Sequence, residues 1–152
     1  MWYKKYSLED LNQFIPGNML EHIGIEFTEL GKDFIRAKMP VDHRTKQPAG
    51  LLHGGASVVL AESLGSIAAC FCVDLEIHYC VGLDINANHI RTVTSGYIFG
   101  TARPLHIGKS TQVWEIKIEN EESKLVCISR ITMAIIERKK FKLINERSAN
   151  EV

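Results

Sequence analysis

Residues 47–72 read QPAGLLHGGASVVLAESLGSIAACFC. The stretch opens with Gln47, a proline, three glycines and His53. From Ala56 seventeen residues follow with a single charged side chain, Glu62. Alanine and leucine are good helix formers, no proline interrupts the run, and Gly65 is its one interior glycine. The composition predicts a helix over residues 56–72, roughly 25 Å long at about 1.5 Å per residue. It is apolar almost all round, which marks a helix buried on every side rather than one with a wet face. A lone carboxylate in such a helix must be paired, protonated or functional, because burying it unpaired is costly. Glu62 is therefore the expected seat of the chemistry.

The segments on either side read as strands. At the N-terminus, Ser7 is a candidate cap for a short amphipathic helix with Leu8, Leu11 and Phe14 on one side, ending before Pro16 and Gly17. HIGIEFTELG (residues 22–31) reads as a strand, with Ile23, Ile25 and Phe27 alternating against polar or small neighbours. Gly31, Lys32 and Asp33 make a turn into a second strand, FIRAKMPV (residues 34–41). Residues 42–48 form a polar loop. After the helix, residues 74–79 are polar and irregular, and four strands follow over 81–91, 96–104, 111–119 and 124–136, the last two joined by a turn at 120–123. From Arg138 the chain is charged and aperiodic. This divides it into a domain, residues 1–138, and a charged tail, residues 139–152. One long apolar helix among strands has one economical arrangement, an antiparallel sheet curled around the helix. Such a half-wrapped sheet keeps open edges, so copies are expected to pair with their sheets joined.

The whole chain of 152 residues is 45% hydrophobic with zero formal net charge, the profile of an ordinary soluble domain. No basic cluster exists beyond Arg138, Lys139 and Lys140, which argues against nucleic acid. The N-terminal residues lack the apolar core of a signal peptide, and His53, Glu62 and three serines spoil residues 49–73 as a membrane span. No membrane partner is expected. Cys70, Cys72, Cys80 and Cys127 make no CxxC pair, so free thiols in a reducing cytoplasm are the expectation.

Glu62 and Ser66 are four residues apart and share a helix face. His53, Gly54 and Gly55 stand where free N–H groups and the helix dipole favour negative charge, and glycine lets a ligand atom approach those amides. A carbonyl whose oxygen turns negative would suit this place, so base plus oxyanion donors point to hydrolysis of an acyl compound. Each feature has a plainer reading. A lone glutamate in a buried helix is more often an ion-pair partner, and His53 could be a loop residue by an N-cap. Gly54 and Gly55 could simply make a turn, Ser66 could be a packing residue, and Gln47 a solvated loop side chain. Their clustering favours the joint functional reading. GxSxG, HExxH and the phosphate-binding glycine loops are absent. The six histidines are scattered, which supports no metal site. Cys70 and Cys72 lie in apolar runs that disfavour a thiolate.

HRTKQPAGLLHGGASVVLAESLGS (residues 43–66) closely resembles the hotdog-fold acyl-CoA thioesterases, and VGLDINANHIR, PLHIGKSTQVWEI and LVCISRITMAII continue the match. Within that family it is similar to the branch acting on aromatic acyl-CoA, which includes the dihydroxynaphthoyl-CoA thioesterase of menaquinone synthesis and the proofreading thioesterase of enterobactin synthesis. The resemblance implies an α+β hotdog fold, an antiparallel sheet wrapped around one long central helix. It also implies homodimers assembling into homotetramers, with active sites at the dimer interface. Glu62 then matches the carboxylate that activates water or attacks the thioester carbonyl. Gly54 matches the amide that polarises the carbonyl, Gln47 and His53 the side chains that orient the thioester, and Ser66 one that helps place the water. Gly82, His89, Ile90, Arg91 and Thr92, with His106, Ile107, Gly108, Lys109, Ser110 and Thr111, match the segments that hold coenzyme A. Arg91 and Lys109 have the charge to meet its phosphates. No cofactor is implied beyond the coenzyme A of the substrate, which arrives as an acyl-CoA or as a carrier-protein thioester. Thr92 and Ile90 depart from the residues relatives often carry there. A dehydratase or isomerase on the same fold, or a non-catalytic acyl-CoA-binding module, remains an alternative.

Overall fold

A computed structural model describes residues 1–139. Ser7 caps α1 (Leu8–Asn12) through a reciprocal pair. Its Oγ accepts from the Asp10 N–H at 3.2 Å, and the Asp10 carboxylate accepts from the Ser7 N–H at 2.7 Å. A second short helix, α2 (Met19–Ile23), occupies residues expected to begin a strand. Asn18 Oδ1 accepts from the Leu20 N–H at 2.9 Å to start it, and Gly24, in the left-handed region at φ 75°, ends it. The alternation of Ile23 and Ile25 is real, but a helical turn and its cap interrupt it. The strand β1 (Glu26–Leu30) starts only afterwards.

Five further strands complete one antiparallel sheet: β2 (Ile35–Pro40), β3 (His78–His89), β4 (Tyr97–Ile107), β5 (Thr111–Asn120) and β6 (Leu125–Glu137). Their spatial order is β1-β2-β4-β5-β6-β3, which leaves β3 at one edge and β1 at the other. The central helix, α3, runs over Gly54–Phe71, starting two residues before the predicted point. It packs on β2, β3, β4, β5 and β6 together, so the expected hotdog architecture is present. By length and composition α3 could cross a membrane, yet over half of it is buried against the sheet.

The grip of α3 on the sheet is one-sided. Leu60, Ala61, Leu64 and Ala68 have no exposed surface, each leucine contributing roughly 1.5–3 kcal/mol by leaving water. Gly65 lets the helix lie close to β6, since a methyl group there would run into Ile131 Cγ2. On the other side Val58, Val59, Glu62, Ser63, Ser66 and Cys70 are only half-buried. The expectation of burial on every side is thus corrected for a single copy: the sheet covers only part of the helix circumference.

Strand β3 carries a bulge. Gly82 pairs with Met133 and Asp84 with Thr132, which leaves Leu83 as the extra residue, 63% exposed. Arg138, expected to open a frayed tail, is anchored. Its Nε donates to the Leu75 carbonyl at 2.7 Å and a terminal guanidinium nitrogen donates to the Tyr79 hydroxyl at 2.9 Å. The remainder of the predicted tail, from residue 140, lies outside the described residues.

Candidate active site

The first turn of α3 is built from residues that expose backbone N–H groups. His53 is extended, with ψ 130°, and its Nδ1 accepts from the Gly55 N–H at 2.8 Å. The cap fixes the neutral ring with its proton on Nε2. The N–H groups of Ala56 and Ser57 both go to the His53 carbonyl, at 3.0 and 3.3 Å. The Gly54 N–H is left with no acceptor among the described residues. Glycine is required there because a methyl group would lie 2.8 Å from His89 Nε2. The ring of His89, at the end of β3, therefore stands directly beside the helix start.

A cleft of about 310 Å³ opens at this point, and Gln47, Gly54, His89, Ile90, Arg91 and Thr92 all line it. Six of the residues expected in the site are thus gathered in one place. Gln47 Oε1 accepts from the Ala49 N–H at 2.6 Å, which leaves its amide N–H groups as donors toward the cleft. Thr45, which sequence reasoning passed over, is 1% exposed and donates through Oγ to the Pro40 carbonyl at 2.7 Å. It ties down the loop that carries Gln47. Beside it, an ion pair with Arg44 pulls the Asp42 carboxyl down to about 2.

Glu62 sits in a different place. It lies eight residues along α3 from Gly54, about 12 Å at the helical rise, and does not line the cleft. Its Oε1 lies 2.9 Å from where a methyl group on Gly82 would stand, so the bare edge of β3 makes room for the carboxylate. Ser66 Oγ is 3.4 Å from Glu62 Oε1 and 3.7 Å from Met133 Sδ. No cation pairs with Glu62 among the described residues, so it is not the anionic half of a buried ion pair within one copy.

The third group forms the hairpin between β4 and β5. Gly108 donates its N–H to the Thr111 carbonyl at 2.9 Å, and the Ile135 N–H reaches the Ser110 carbonyl at 2.9 Å. Thr111 pairs with Ala134, which pairs with Val81, whereas His89 pairs with Cys127 at the other end. From Val81 to His89 is eight residues, about 26 Å of strand. One copy therefore does not bring His106, Ile107, Gly108, Lys109, Ser110 and Thr111 to the cleft.

Cysteine chemistry is not favoured. Burial pushes the Cys72 thiol up to about 11. The thiols of Cys70 and Cys80 interact with each other, and that contact, with burial, raises Cys80. Among the described residues no three histidine, cysteine, aspartate or glutamate side chains come together as a metal site. A larger opening of about 480 Å³ beside Tyr6, Phe14 and Phe71 contains none of the expected site residues.

Comparison with known proteins gives a consistent result. The thioesterase superfamily matches residues 49–127. A 1,4-dihydroxy-2-naphthoyl-CoA hydrolase from Escherichia coli K12 is 52% identical over 136 residues, which cover 90% of this chain and 99% of that protein. The proofreading thioesterase EntH of Cronobacter turicensis is 46% identical over 136 residues, covering 90% and 98%. The crystal structure of the thioesterase HI1161 from Haemophilus influenzae matches with a TM-score of 0.86 at 51% identity, covering 90% of this chain and 94% of that one.

Proposed function

Because the chain belongs to the thioesterase superfamily and is a thioester hydrolase of the hotdog fold, we propose that it releases coenzyme A from aromatic acyl-CoA, with Glu62 as general base. The observation that carries this reading is a half-open carboxylate with no cationic partner on an apolar helix. Glu62 takes a proton from water, and the oxygen of that water attacks the thioester carbonyl carbon. Charge builds on the carbonyl oxygen, where the Gly54 N–H and the α3 dipole favour it. Collapse breaks the C–S bond, and the proton on Glu62 goes to the departing thiolate. Gln47 donates to the thioester oxygen, and His89 covers the helix start. The aromatic preference rests on likeness to the Escherichia coli hydrolase, whose name specifies a naphthoyl thioester.

A base must come within about 3 Å of the proton it removes. Glu62 and Gly54, about 12 Å apart along one helix, cannot flank one carbonyl from the same copy. Two antiparallel α3 helices related by a twofold axis through Val58, midway between them, would set Gly54 against Glu62 of the partner subunit. The contacts along β3 agree. Gly54 faces His89 and Glu62 faces Gly82, so the matching axis crosses β3 between Ile85 and Asn86. The half-buried stripe on α3 and the exposed edge of β3 are the surfaces such a dimer covers, and two dimers complete a tetramer. Arg91 and, from a neighbouring copy, Lys109 meet the phosphates of the coenzyme. The free thiols fit a cytoplasmic enzyme.

The test is thiol release from benzoyl-CoA and from a fatty acyl-CoA panel by wild type and Glu62→Gln. The variant should fold, keep KM and lose kcat by roughly 10²–10⁴-fold. A folded variant keeping more than about a tenth of kcat overturns the base assignment. A wild-type enzyme with no thiol release favours the dehydratase, isomerase or binding-module alternatives. Mixing inactive Glu62→Gln with inactive Gln47→Ala subunits should regenerate about a quarter of wild-type activity if each site draws on two copies.

A further inference from the structure

Met133 is 1% exposed on the inner face of β6, across from Gly82 on β3 and Gln112 on β5. Its Sδ lies 3.7 Å from Ser66 Oγ, whose other neighbour is Glu62 Oε1 at 3.4 Å. A serine hydroxyl has one proton and cannot serve both acceptors. A hydroxyl donating to a carboxylate sits at roughly 2.5–2.7 Å, so the approach to Glu62 is stretched. Sulfur is a larger atom and accepts weakly but from farther away. The geometry therefore sends the Ser66 proton toward Met133.

We infer that Met133 is a positioning residue for hydrolysis: its thioether holds the Ser66 proton away from Glu62, so that Ser66 accepts from the attacking water. This rests on Glu62 acting as the base. With the proton on sulfur, the lone pairs of Ser66 are free beside the carboxylate. A water there gives one O–H to Glu62 Oε1 and the other to Ser66 Oγ, and the remaining lone pair is aimed at the thioester carbon. Were Ser66 to donate to Glu62 instead, it would weaken the base and leave the water one acceptor short. Met133 also spans the sheet between Gly82, which makes room for the carboxylate, and the buried Gln112. It therefore holds this geometry from below without touching substrate.

Met133→Leu keeps the volume and removes the acceptor. It should lower kcat by roughly threefold to tenfold, the worth of one hydrogen bond, at unchanged KM and nearly unchanged thermal midpoint. In a Ser66→Ala background the same change should cost nothing further, because the group it acts through is gone. Met133→Gln restores an oxygen acceptor, and its amide has a neighbour in Gln112, whose Nε2 lacks a partner. That variant should keep kcat within roughly threefold of wild type. An unchanged kcat in Met133→Leu, an equal loss in both backgrounds, or a glutamine variant no faster than the leucine one overturns the role of Met133. The base assignment fails separately, if Glu62→Gln remains active.

Discussion

Along α3, the side that carries Leu60, Ala61, Leu64 and Ala68 is closed, and the side that carries Val58, Glu62, Ser63 and Ser66 is half-open. Both sides read as apolar in the sequence. On the closed side each position is filled by a neighbour from the sheet, so its residues are chosen for volume. The open side holds the helix's only carboxylate and a hydroxyl that touches it, so its residues are free to be chosen for chemistry. One rigid helix thus serves as the pillar of the core and as the platform of the site, and the two uses are separated by rotation about its axis.

That separation is broken first by cutting the closed side. Leu64→Ala should destabilise the protein by about 2–5 kcal/mol in urea unfolding while kcat of the folded fraction stays near wild type. A variant at Leu64 with normal stability and lost activity would show that the two sides are not independent. Gly65→Ala probes the same side by crowding it, because the new methyl group meets Ile131. The expected cost is about 1–3 kcal/mol by the same assay, and a neutral result would mean that α3 can move off β6. Glu62→Gln is the reciprocal control. It should leave the unfolding midpoint within about 0.5 kcal/mol of wild type, as expected for a position outside the packed core.

Smaller effects lie beyond the helix. Arg91→Ala should raise KM severalfold with little change in kcat, the pattern of lost uniform binding, and the difference should shrink at high salt. A fall in kcat at constant KM would place Arg91 in the chemistry instead. The loop that carries Gln47 is held partly by charge. Arg44 lowers the Asp42 carboxyl from 3.8 to about 2 in the folded protein, so this pair stabilises fully above the unfolded value. Its contribution is lost as pH falls through about 2. Asp42→Asn should flatten the dependence of thermal midpoint on pH between about 4 and 2 and change little at neutrality. An unaltered acid profile would mean that the partly exposed ion pair adds nothing measurable.

Much of this architecture was legible because composition and alternation survive without neighbours. The helix, the six strands and the positions of Glu62, Ser66 and Gly54 could be read directly. Residues 22–25 could not, because Ile23 and Ile25 fit a strand as well as a helix capped by Asn18 and Gly24, and periodicity over four residues decides nothing. The open stripe on α3 was invisible because hydropathy records what a side chain prefers, not which neighbour is present to cover it. Met133 went unread for a related reason. Its position beside Ser66 depends on the pairing of β3, β6 and β5, and register cannot be counted from one strand alone. The split of the expected coenzyme residues between two ends of the sheet has the same origin.

The bulge at Leu83 acts as a change of phase in the edge strand. On its near side the even-numbered Cys80 and Gly82 face the helix, and on its far side the odd-numbered Ile85, Ala87 and His89 do. Without the extra residue, one set would point inward and the other would turn to solvent. The clearance for Glu62 and the ring against Gly54 would then be mutually exclusive on a single strand. Removing Leu83, an exposed residue that touches neither group, is therefore a larger edit than substituting any residue of β3. It would force a choice between the two ends of the reaction.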